Sequence, residues 1–595
     1  MGLKSWRARI SNRLHVVLVV LVSSVIVLAV SRPVAVPPIS GALVNHRSAP
    51  DNQRVSFEVV LRPRNEGKLL ASAWLRGSQP PGPYLTPLQF AQQYAPSPDA
   101  VDLVKDYFQV RGLATGALWS GGLVVPVTGS VAQASKALGV GFDVAKLSGG
   151  RRVVVADSYP TIPNSLRAII AGVTGLFANG YFPVTPKGLS IRGPSSCAAL
   201  RRENAPGQGY SPSVVSRYYH LARFDRARTV TVGIAEFAAV GASRSSPLER
   251  SVADYAHCLG VGVHLQVRPV NGGSTNTARV HLVEAALDIE TLLAYAPGVH
   301  LLVYTASSGN ADALYLRMVS EDQASILLTT WGSCEADTPS QQLRIEQLAF
   351  AEATLQGQTV VAASGDDGSS DCLANGGGDG LAVDNPASQP MVTAVGGEQF
   401  DGPLGKRTRA LVFNSATYAG ASGGGVSKVF AEPPYQHGVY RAIKTQVARL
   451  CPLRSGCRLV PDLAMIAVGA RIDAPHSGWT SVGGTSLAAS VFAAGLADLE
   501  SRIGERLGLV NPWLYSLATG GRAFRPVVRG GNDYRHLHPE RFRAGGDYSL
   551  ATGLGTPNFG VLLASLRQHL MVPVLPQHWV RTRFTLHLRE VFDAT

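Results

Sequence analysis

The chain lacks the sequence features of several common kinds of site. None of its 14 histidines stands in a His-Gly-Thr segment, although histidine is the usual base beside a serine nucleophile. Its six cysteines form no Cys-x-x-Cys pair and no cluster with histidine, so nothing indicates zinc. The net charge of +13 is not gathered into a dense Lys/Arg stripe. We therefore expect a generally basic surface and no nucleic-acid binding.

The length and composition predict more than one folded domain. The chain has 595 residues, which exceeds what one hydrophobic core usually holds. With 45% hydrophobic residues, most of it can bury a core. No internal repeat stands out, so we expect two different domains with appendages.

The N-terminus predicts export. Four basic residues precede an apolar stretch over residues 14–30, and the small residues around Ser31 permit cleavage. We interpret residues 1–31 as a signal peptide or an uncleaved signal anchor. The protein is then extracellular, or held on the outer face of the cell membrane through residues 14–30. An even number of cysteines in an exported chain permits disulfides.

Two of the cysteine pairs can be suggested from the sequence, without fixing the connectivity. Cys451 and Cys457 are close enough to close a small loop. Cys334 and Cys372 each follow a strand-end motif, so they are expected to lie near each other.

The rest of the chain divides into two modules. Residues 52–177 combine an alternating strand over residues 57–61 with two predicted helices, one capped by Thr86 and one over residues 130–138, which favours a small α+β domain. Residues 178–209 are rich in Pro, Gly, Ser and Arg and are interpreted as a protease-accessible linker. Residues 210–568 form the second module, and the tail over residues 569–595 is left without interpretation.

The second module has the alternation of a parallel α/β sheet. Helical patterns over residues 282–295 and 341–355 separate runs of buried-strand type. Such repetition predicts a doubly wound parallel sheet with helices on both faces and its site at the carboxyl ends of the strands. The predicted strands cover residues 230–235, 301–305, 326–330, 359–363 and 392–395.

A Gly-Gly-Thr-Ser turn presents Ser486 at the start of a buried helix. Glycines permit a tight approach, and the first-turn amides of the helix point at whatever binds the serine. The alternative is a turn with a capping hydroxyl.

Glu284 and Asp288 stand four residues apart and therefore share one helix face. Two close carboxyl groups do not both ionise readily and share a proton. The alternative is a solvated acidic helix face.

These segments, taken in order, resemble the sedolisin family of serine-carboxyl peptidases, which has a subtilisin-like fold. Each motif is weak alone, and their number and order carry the resemblance. The first module resembles the activation propeptide of that family through residues 84–90. The matching segments of the second module are residues 284–288, 330–332, 363–366, 386–388, 395–397, 422–427, 460–462, 483–486 and 552–557.

The resemblance implies a role for each site residue. Glu284 would be the general base for Ser486, with Asp288 orienting and tuning it. Asp366 would be the oxyanion partner beside the Ser486 amide, which requires a protonated carboxyl. Asp367 leaves that alignment ambiguous by one position, and Asp366 is preferred because it directly follows Ser364-Gly365. His281 is interpreted as a surface or packing residue, and His476 as a loop residue.

The sequence departs from the family at its calcium site. Pro526 and Ser549 stand where relatives carry aspartates. Calcium needs several oxygens and negative charge, so we expect the site to be weak or absent unless Asp533 or Asp547 compensates. No metal site or other cofactor is expected.

The resemblance implies an acid-acting serine peptidase that hydrolyses peptide bonds through an acyl-enzyme and is made as a self-processing proenzyme. Its partners would be protein or peptide substrates and its own propeptide. The alternative is a catalytically inactive exported binding protein on a peptidase scaffold. The sequence does not distinguish endopeptidase from tripeptidyl-peptidase action.

Overall fold

The computed structural model describes residues 47–571, apart from 147–151, 177–181, 184–190, 193–196, 198–199, 201–208, 222–228, 242, 244, 374–376, 406–407, 519–521 and 539–541. The predicted export signal, most of the linker and residues 572–595 lie outside the described residues. Across the described ranges, no helix is long and apolar enough to cross a membrane.

The first module is a small α+β domain, as predicted. Its main sheet has four antiparallel strands in the order β3-β4-β2-β7, and a second sheet has the order β1-β5-β6. The strands are β1 (Arg47–Ser48), β2 (Arg54–Leu61), β3 (Ala114–Thr115), β4 (Val124–Ser130), β5 (Phe142–Lys146), β6 (Arg152–Ala156) and β7 (Ile170–Thr174). The helices are α1 (Glu66–Gly77), α2 (Pro87–Tyr94), α3 (Pro98–Gln109) and α4 (Val131–Leu138).

Capping residues set the starts of the predicted helices in this module. Thr86 accepts a hydrogen bond from the Gln89 amide, and the Gln89 side chain accepts from the Thr86 amide. Ser130 and Gln133 make the same reciprocal pair at α4. Because these bonds satisfy otherwise unpaired amides, both helices begin where the sequence indicates.

The second module is built on an eight-stranded sheet. Its order is β11-β12-β10-β13-β15-β17-β18, with β23 also paired to β17. All pairings are parallel except that of β17 with β18. The strands are β10 (Thr231–Glu236), β11 (His264–Pro269), β12 (His300–Thr305), β13 (Ile326–Thr329), β15 (Thr359–Ala363), β17 (Thr393–Phe400), β18 (Ala410–Val412) and β23 (Leu463–Ile466).

Helices cover both faces of this sheet. Alternate residues of β10 point to opposite faces, so Val232 and Ile234 join one core and Ala235 the other. The first core contains α7 and α11, and the second contains α8 and α9. The helices are α5 (Pro212–Tyr219), α6 (Pro247–Leu259), α7 (Arg279–Tyr295), α8 (Ala311–Glu321), α9 (Ser340–Leu355), α10 (His437–Val447), α11 (Thr485–Ile503), α12 (Asn511–Ser516) and α13 (Phe559–Met571).

The second module also contains short strands, and two of them pair with short strands of the linker. They are β8 (Phe182–Pro183), β9 (Ile191–Arg192), β14 (Trp331–Cys334), β16 (Asp384–Asn385), β19 (Asn414–Ser415), β20 (Gly420–Ala421), β21 (Gly425–Ala431), β22 (Cys457–Val460), β24 (Ala470–Ala474), β25 (Gly478–Val482), β26 (Phe524–Arg525) and β27 (Thr556–Pro557). The linker strand β8 pairs with β14, and β9 pairs with β25.

The first module docks on helices α8 and α9 of the second. The Gln341 side chain donates to the Val173 carbonyl at 3.0 Å, and Arg344 forms an ion pair with Glu66 at 2.5 Å. Glu352, buried on α9, lies against Gly121 of the first module. The first module therefore covers the face of the sheet opposite α7 and α11.

All six cysteines form disulfides. The pairs are Cys197–Cys258, Cys334–Cys372 and Cys451–Cys457. The two pairs suggested from the sequence are confirmed. Cys334–Cys372 joins the end of β14 to the segment that follows β15.

Candidate active site

The predicted serine and acids meet at one edge of the sheet. Glu236 is the last residue of β10, and Thr330 and Asp366 follow the carboxyl ends of β13 and β15, which are the next strands of the sheet. The helices α7 and α11 pack together over the sheet and bring the remaining side chains to the same edge. This is where parallel α/β sheets place their sites.

Ser486 is the second residue of α11 and is fully buried. Gly484, at the N-cap, has a φ of 139° and a ψ of 167°, a combination that side chains with a Cβ hardly adopt. This glycine allows the strand to turn directly into the helix. The capping alternative for Ser486 is not what the structure shows, because the N-cap residue is Gly484.

Glu284 and Asp288 lie on one face of α7, and both are fully buried. The solvated acidic helix face is therefore wrong. Helix α7 packs against α11, which itself lies on the sheet, and nearly all of the α7 residues from Leu282 onward are buried. The two acids consequently occupy positions that would ordinarily be apolar.

Glu284 lies beside Ser486. Burial raises the pKa of Glu284 well above its ordinary value, and the neighbouring Asp288 raises it further. The hydroxyls of Ser486 and Thr330 lie near enough to lower that pKa in part. Neither Glu284 oxygen makes a hydrogen bond of ordinary geometry within the described chain.

Asp288 is held by two hydroxyl groups. Thr330 donates to its Oδ2 and Ser490 donates to its Oδ1, each at 2.7 Å. Burial raises the pKa of Asp288, whereas these two bonds and the contact with Glu236 lower it. Asp288 is therefore the carboxyl of this group that ionises most readily.

Glu236 is a third site carboxyl, which the sequence analysis missed. It is fully buried at the end of β10, and the Trp331 indole donates to its Oε2 at 3.1 Å. Burial raises the pKa of Glu236, and the nearby Asp288 and Glu284 raise it further. Its Oε1 receives no hydrogen bond from the described residues, which fits a protonated carboxyl facing Asp288. The sequence signal that could have identified Glu236 as a site residue is an acidic residue at the end of an apolar strand.

Asp366 contacts the residue that precedes the serine. The Thr485 amide donates to its Oδ1 at 2.7 Å, and the Thr485 hydroxyl donates to the same oxygen at 3.0 Å. No group of the described chain bonds to Oδ2. Burial raises the pKa of Asp366 well above its ordinary value. Asp367 is less buried, so the geometry favours Asp366 in the alignment that the sequence left ambiguous.

The two histidines weighed in the sequence lie as predicted. The His281 ring stacks on Trp331, with ring centroids 5.0 Å apart, and burial lowers its pKa to about 4. His476 is exposed in the turn between β24 and β25.

Comparison with known proteins gives the family. Residues 42–178 match the family model described as "Pro-kumamolisin, activation domain", and residues 272–508 match "Subtilase family". The chain is 30% identical to kumamolisin of Bacillus sp. (strain MN-32) over 525 residues, covering 85% of this chain and 90% of that protein. The chain belongs to the sedolisin family. It is a serine-carboxyl peptidase that carries an activation propeptide.

Other members of the sedolisin family resemble the chain less completely. Sedolisin of Pseudomonas sp. (strain 101) is 26% identical, with 90% of this chain and 91% of that protein covered. Bovine tripeptidyl-peptidase 1 is 30% identical, but over 48% of this chain and 52% of its own length. The solved Pseudomonas sedolisin, complexed with pseudo-iodotyrostatin, matches with a TM-score of 0.52 at 26% identity, covering 60% of this chain and 98% of that one.

The predicted calcium position contains Pro526 and Ser549. Pro526 offers no side-chain oxygen. Ser549 lies 2.9 Å from the Thr552 hydroxyl and accepts from the Thr552 amide. Asp533 accepts from the amides of residues 537 and 538, and Asp547 is exposed. Within the described residues, the Ser549, Asp533 and Asp547 side chains thus offer oxygens that are used locally or face solvent, and a weak or absent calcium site stays a prediction.

Within the described residues, the one group of three side chains spaced for a metal is elsewhere. It consists of Cys334, Asp337 and Cys372. Because the two cysteines form a disulfide, this group offers no thiolate ligands.

Proposed function

We propose that this chain is an acid-acting serine-carboxyl peptidase that works through an acyl-enzyme. The observation that carries the proposal is the placement of Ser486 against Glu284, with Asp288 behind Glu284 and Asp366 beside the start of α11. These four groups can supply a nucleophile, a base and an oxyanion donor in one buried site.

The proton path follows from the contacts. Ser486 Oγ attacks the peptide carbonyl carbon while its proton moves to Glu284, and the proton that Glu284 held at rest passes to ionised Asp288, so that the pair of acids gains one proton. The Asp366 O–H and the Ser486 amide donate to the developing oxyanion. When the C–N bond breaks, the proton passes from Glu284 to the leaving nitrogen. Water then attacks the Ser486 ester, returning a proton to Glu284 and to Ser486 in turn.

Acid conditions suit this site because Asp366 donates only while protonated. Activity then ends on the alkaline side when Asp366 ionises, and on the acid side when Asp288 takes up a proton. The raised pKa of Asp366 supports a protonated donor in the resting site.

Self-processing is proposed to take place between β8 and β9. Phe182–Pro183 pairs antiparallel with Trp331–Gly332, beside the site residue Thr330, and Ile191–Arg192 pairs with β25, which leads into Ser486. A peptide that adds a strand to an exposed edge is a common mode of peptide recognition. We therefore propose that the bond cleaved in self-processing belongs to the linker between these two strands.

The three disulfides support an oxidising location. Together with the N-terminal export pattern, they favour action outside the cytoplasm. Whether residues 14–30 are retained as an anchor stays a prediction.

Replacing Ser486 by Ala tests the proposal. The wild-type proenzyme, held at about pH 3 to 5, should digest denatured protein and yield a fragment whose N-terminus lies between residues 184 and 191. The Ser486→Ala protein should do neither, because the nucleophile is absent. Mass spectrometry of both digests reads out each activity.

Self-processing by Ser486→Ala would contradict the mechanism. A wild-type protein that stays whole and digests nothing across that pH range would favour the inactive binding protein instead. Wild-type enzyme added to the Ser486→Ala protein serves as the control, since it shows whether the linker is cleavable in trans.

A further inference from the structure

Ser490 follows Ser486 by one helical turn and is fully buried on α11. Its neighbours in the helix are apolar: Leu487, Ala488, Ala489 and Val491. Its Oγ donates to Asp288 Oδ1 at 2.7 Å. A methyl group would fill the same space as the Ser490 hydroxyl, so packing alone does not explain why a hydroxyl is present. The hydrogen bond to Asp288 explains it.

The contacts of Asp288 come from four elements. Glu284 lies on the same helix, Glu236 faces Asp288 from the end of β10, Thr330 follows β13 and Ser490 projects from α11. Asp366 acts on the group through its interaction with Glu284. Of these groups, the Thr330 and Ser490 hydroxyls donate to Asp288 and are not themselves acids of the site.

We propose that Ser490 is a positioning residue of the peptidase site, whose hydroxyl holds Asp288 as an ionised partner for Glu284. This inference rests on the proposed function. A donor to a buried carboxylate stabilises the charged form and lowers its pKa. Ser490 therefore extends the working range of the enzyme to lower pH, and it fixes the carboxylate plane behind the base.

Substituting Ser490 by Ala removes the donor and little volume. A hydrogen bond to a buried charge is worth enough to move a pKa by about one unit. The acid limb of the kcat profile should therefore move up by about one pH unit, so that kcat below the limb falls roughly tenfold while KM changes less than about twofold. The plateau at higher pH should stay within a few-fold of wild type.

Ser501→Ala is the matched control. Ser501 is buried on the same helix, and its hydroxyl donates to the Asp498 carbonyl at 2.8 Å, away from the acids. This variant should keep the wild-type limb. A purely structural role of Ser490 would lower activity equally at all pH values, and that result would overturn the inference.

A second readout does not require activity. In the Ser486→Ala background, the infrared C=O band of protonated Asp288 is assigned by its loss in Asp288→Asn. Adding Ser490→Ala should raise the pH at which this band appears by about one unit. An unchanged midpoint would overturn the positioning role even if the protein proved inactive. Failure of the proposed function would instead appear as wild-type inactivity with the infrared shift intact.

Discussion

Burial distinguishes the acids of this site from the acidic pairs that commonly line helix surfaces. Glu236, Glu284 and Asp288 are all fully buried, and Asp288 lies close enough to raise the pKa of both Glu236 and Glu284. Carboxyls so close do not all ionise, so the group carries protons at pH values where exposed acids are charged. Two hydroxyl donors mark Asp288 as the member that carries the charge.

Asp366→Asn tests the oxyanion role. The amide oxygen can keep the bonds from Thr485, while the amide nitrogen donates at every pH. We expect kcat to fall about 10- to 100-fold, because an amide N–H is a weaker hydrogen-bond donor to the oxyanion than a carboxyl O–H. The alkaline limb of the pH profile should disappear or move up by more than about one unit, which pH-dependent kinetics measures.

Asp367→Asn is the neighbouring control. The Asp367 charge raises the pKa of Asp366, so its removal should move the alkaline limb, if at all, to lower pH. An unchanged alkaline limb in Asp366→Asn would show that another group titrates there.

Short-range patterns were enough to predict Ser486, Glu284, Asp288 and Asp366 as site candidates. Glu236 was beyond them, since it is separated from α7 along the chain and joins the group only because β10 and β13 are neighbours in the sheet. Ser490 was visible only as part of an apolar run. Both residues belong to the site through contacts between elements that are distant in the sequence, and short-range patterns do not reveal such contacts.

At the level of elements, the strands and helices with strong apolar patterns were predicted well. The observed β12 and β15 begin within a residue of the predicted starts, and α7 and α9 begin within three residues. The edge strand β11 was missed, because most of its residues are half or fully exposed and give no buried-strand run. Helix α8 was missed because several of its buried positions are filled by polar or small residues.

The loop around Ser549 gives an element-scale prediction about metal removal. Its turn is closed by the Ser549–Gly553 pairing and the Ser549–Thr552 contact, and the Tyr548 hydroxyl bonds to the Pro461 carbonyl at 2.9 Å. Because these contacts need no ion, EDTA should leave the Tm of the Ser486→Ala proenzyme within about 1 °C, and added calcium should not raise it.

Scanning calorimetry in EDTA and in millimolar calcium measures this. A calcium-bound loop would gain about 3 kcal/mol at 100 times its Kd, or roughly 4 °C for a module of this size. A shift of that size would show that other oxygens complete the site.

The molecule also contains buried carboxyl groups outside the candidate active site. Burial raises the pKa of Glu58, Glu398 and Glu500 to about 7 and that of Glu352 to about 8. A pKa raised on folding contributes stability that is fully present below the unfolded value of about 4.3 and is lost as pH rises through the folded value. The Tm of the Ser486→Ala proenzyme should therefore fall between about pH 5 and pH 8. His281, with its lowered pKa, opposes this trend only below about pH 6.5.

Glu352→Gln identifies one contributor. The neutral amide removes the need for a proton, so the decline of Tm toward pH 8 should become shallower. Glu505→Gln, at an exposed position, should keep the wild-type decline. A Tm that stays level from pH 5 to pH 8 in the parent protein would contradict the assignment of protonated buried acids.

The pairing of β8 with β14 also bears on latency. A tethered segment faces its own cleft at an effective concentration in the millimolar range when the tether is short. Dilution cannot remove a linker segment that is covalently attached to the enzyme. A substrate peptide must therefore displace that segment in each molecule separately. Each newly made copy would thus stay silent however sparse the protein becomes, until a covalent bond in its own tether is broken.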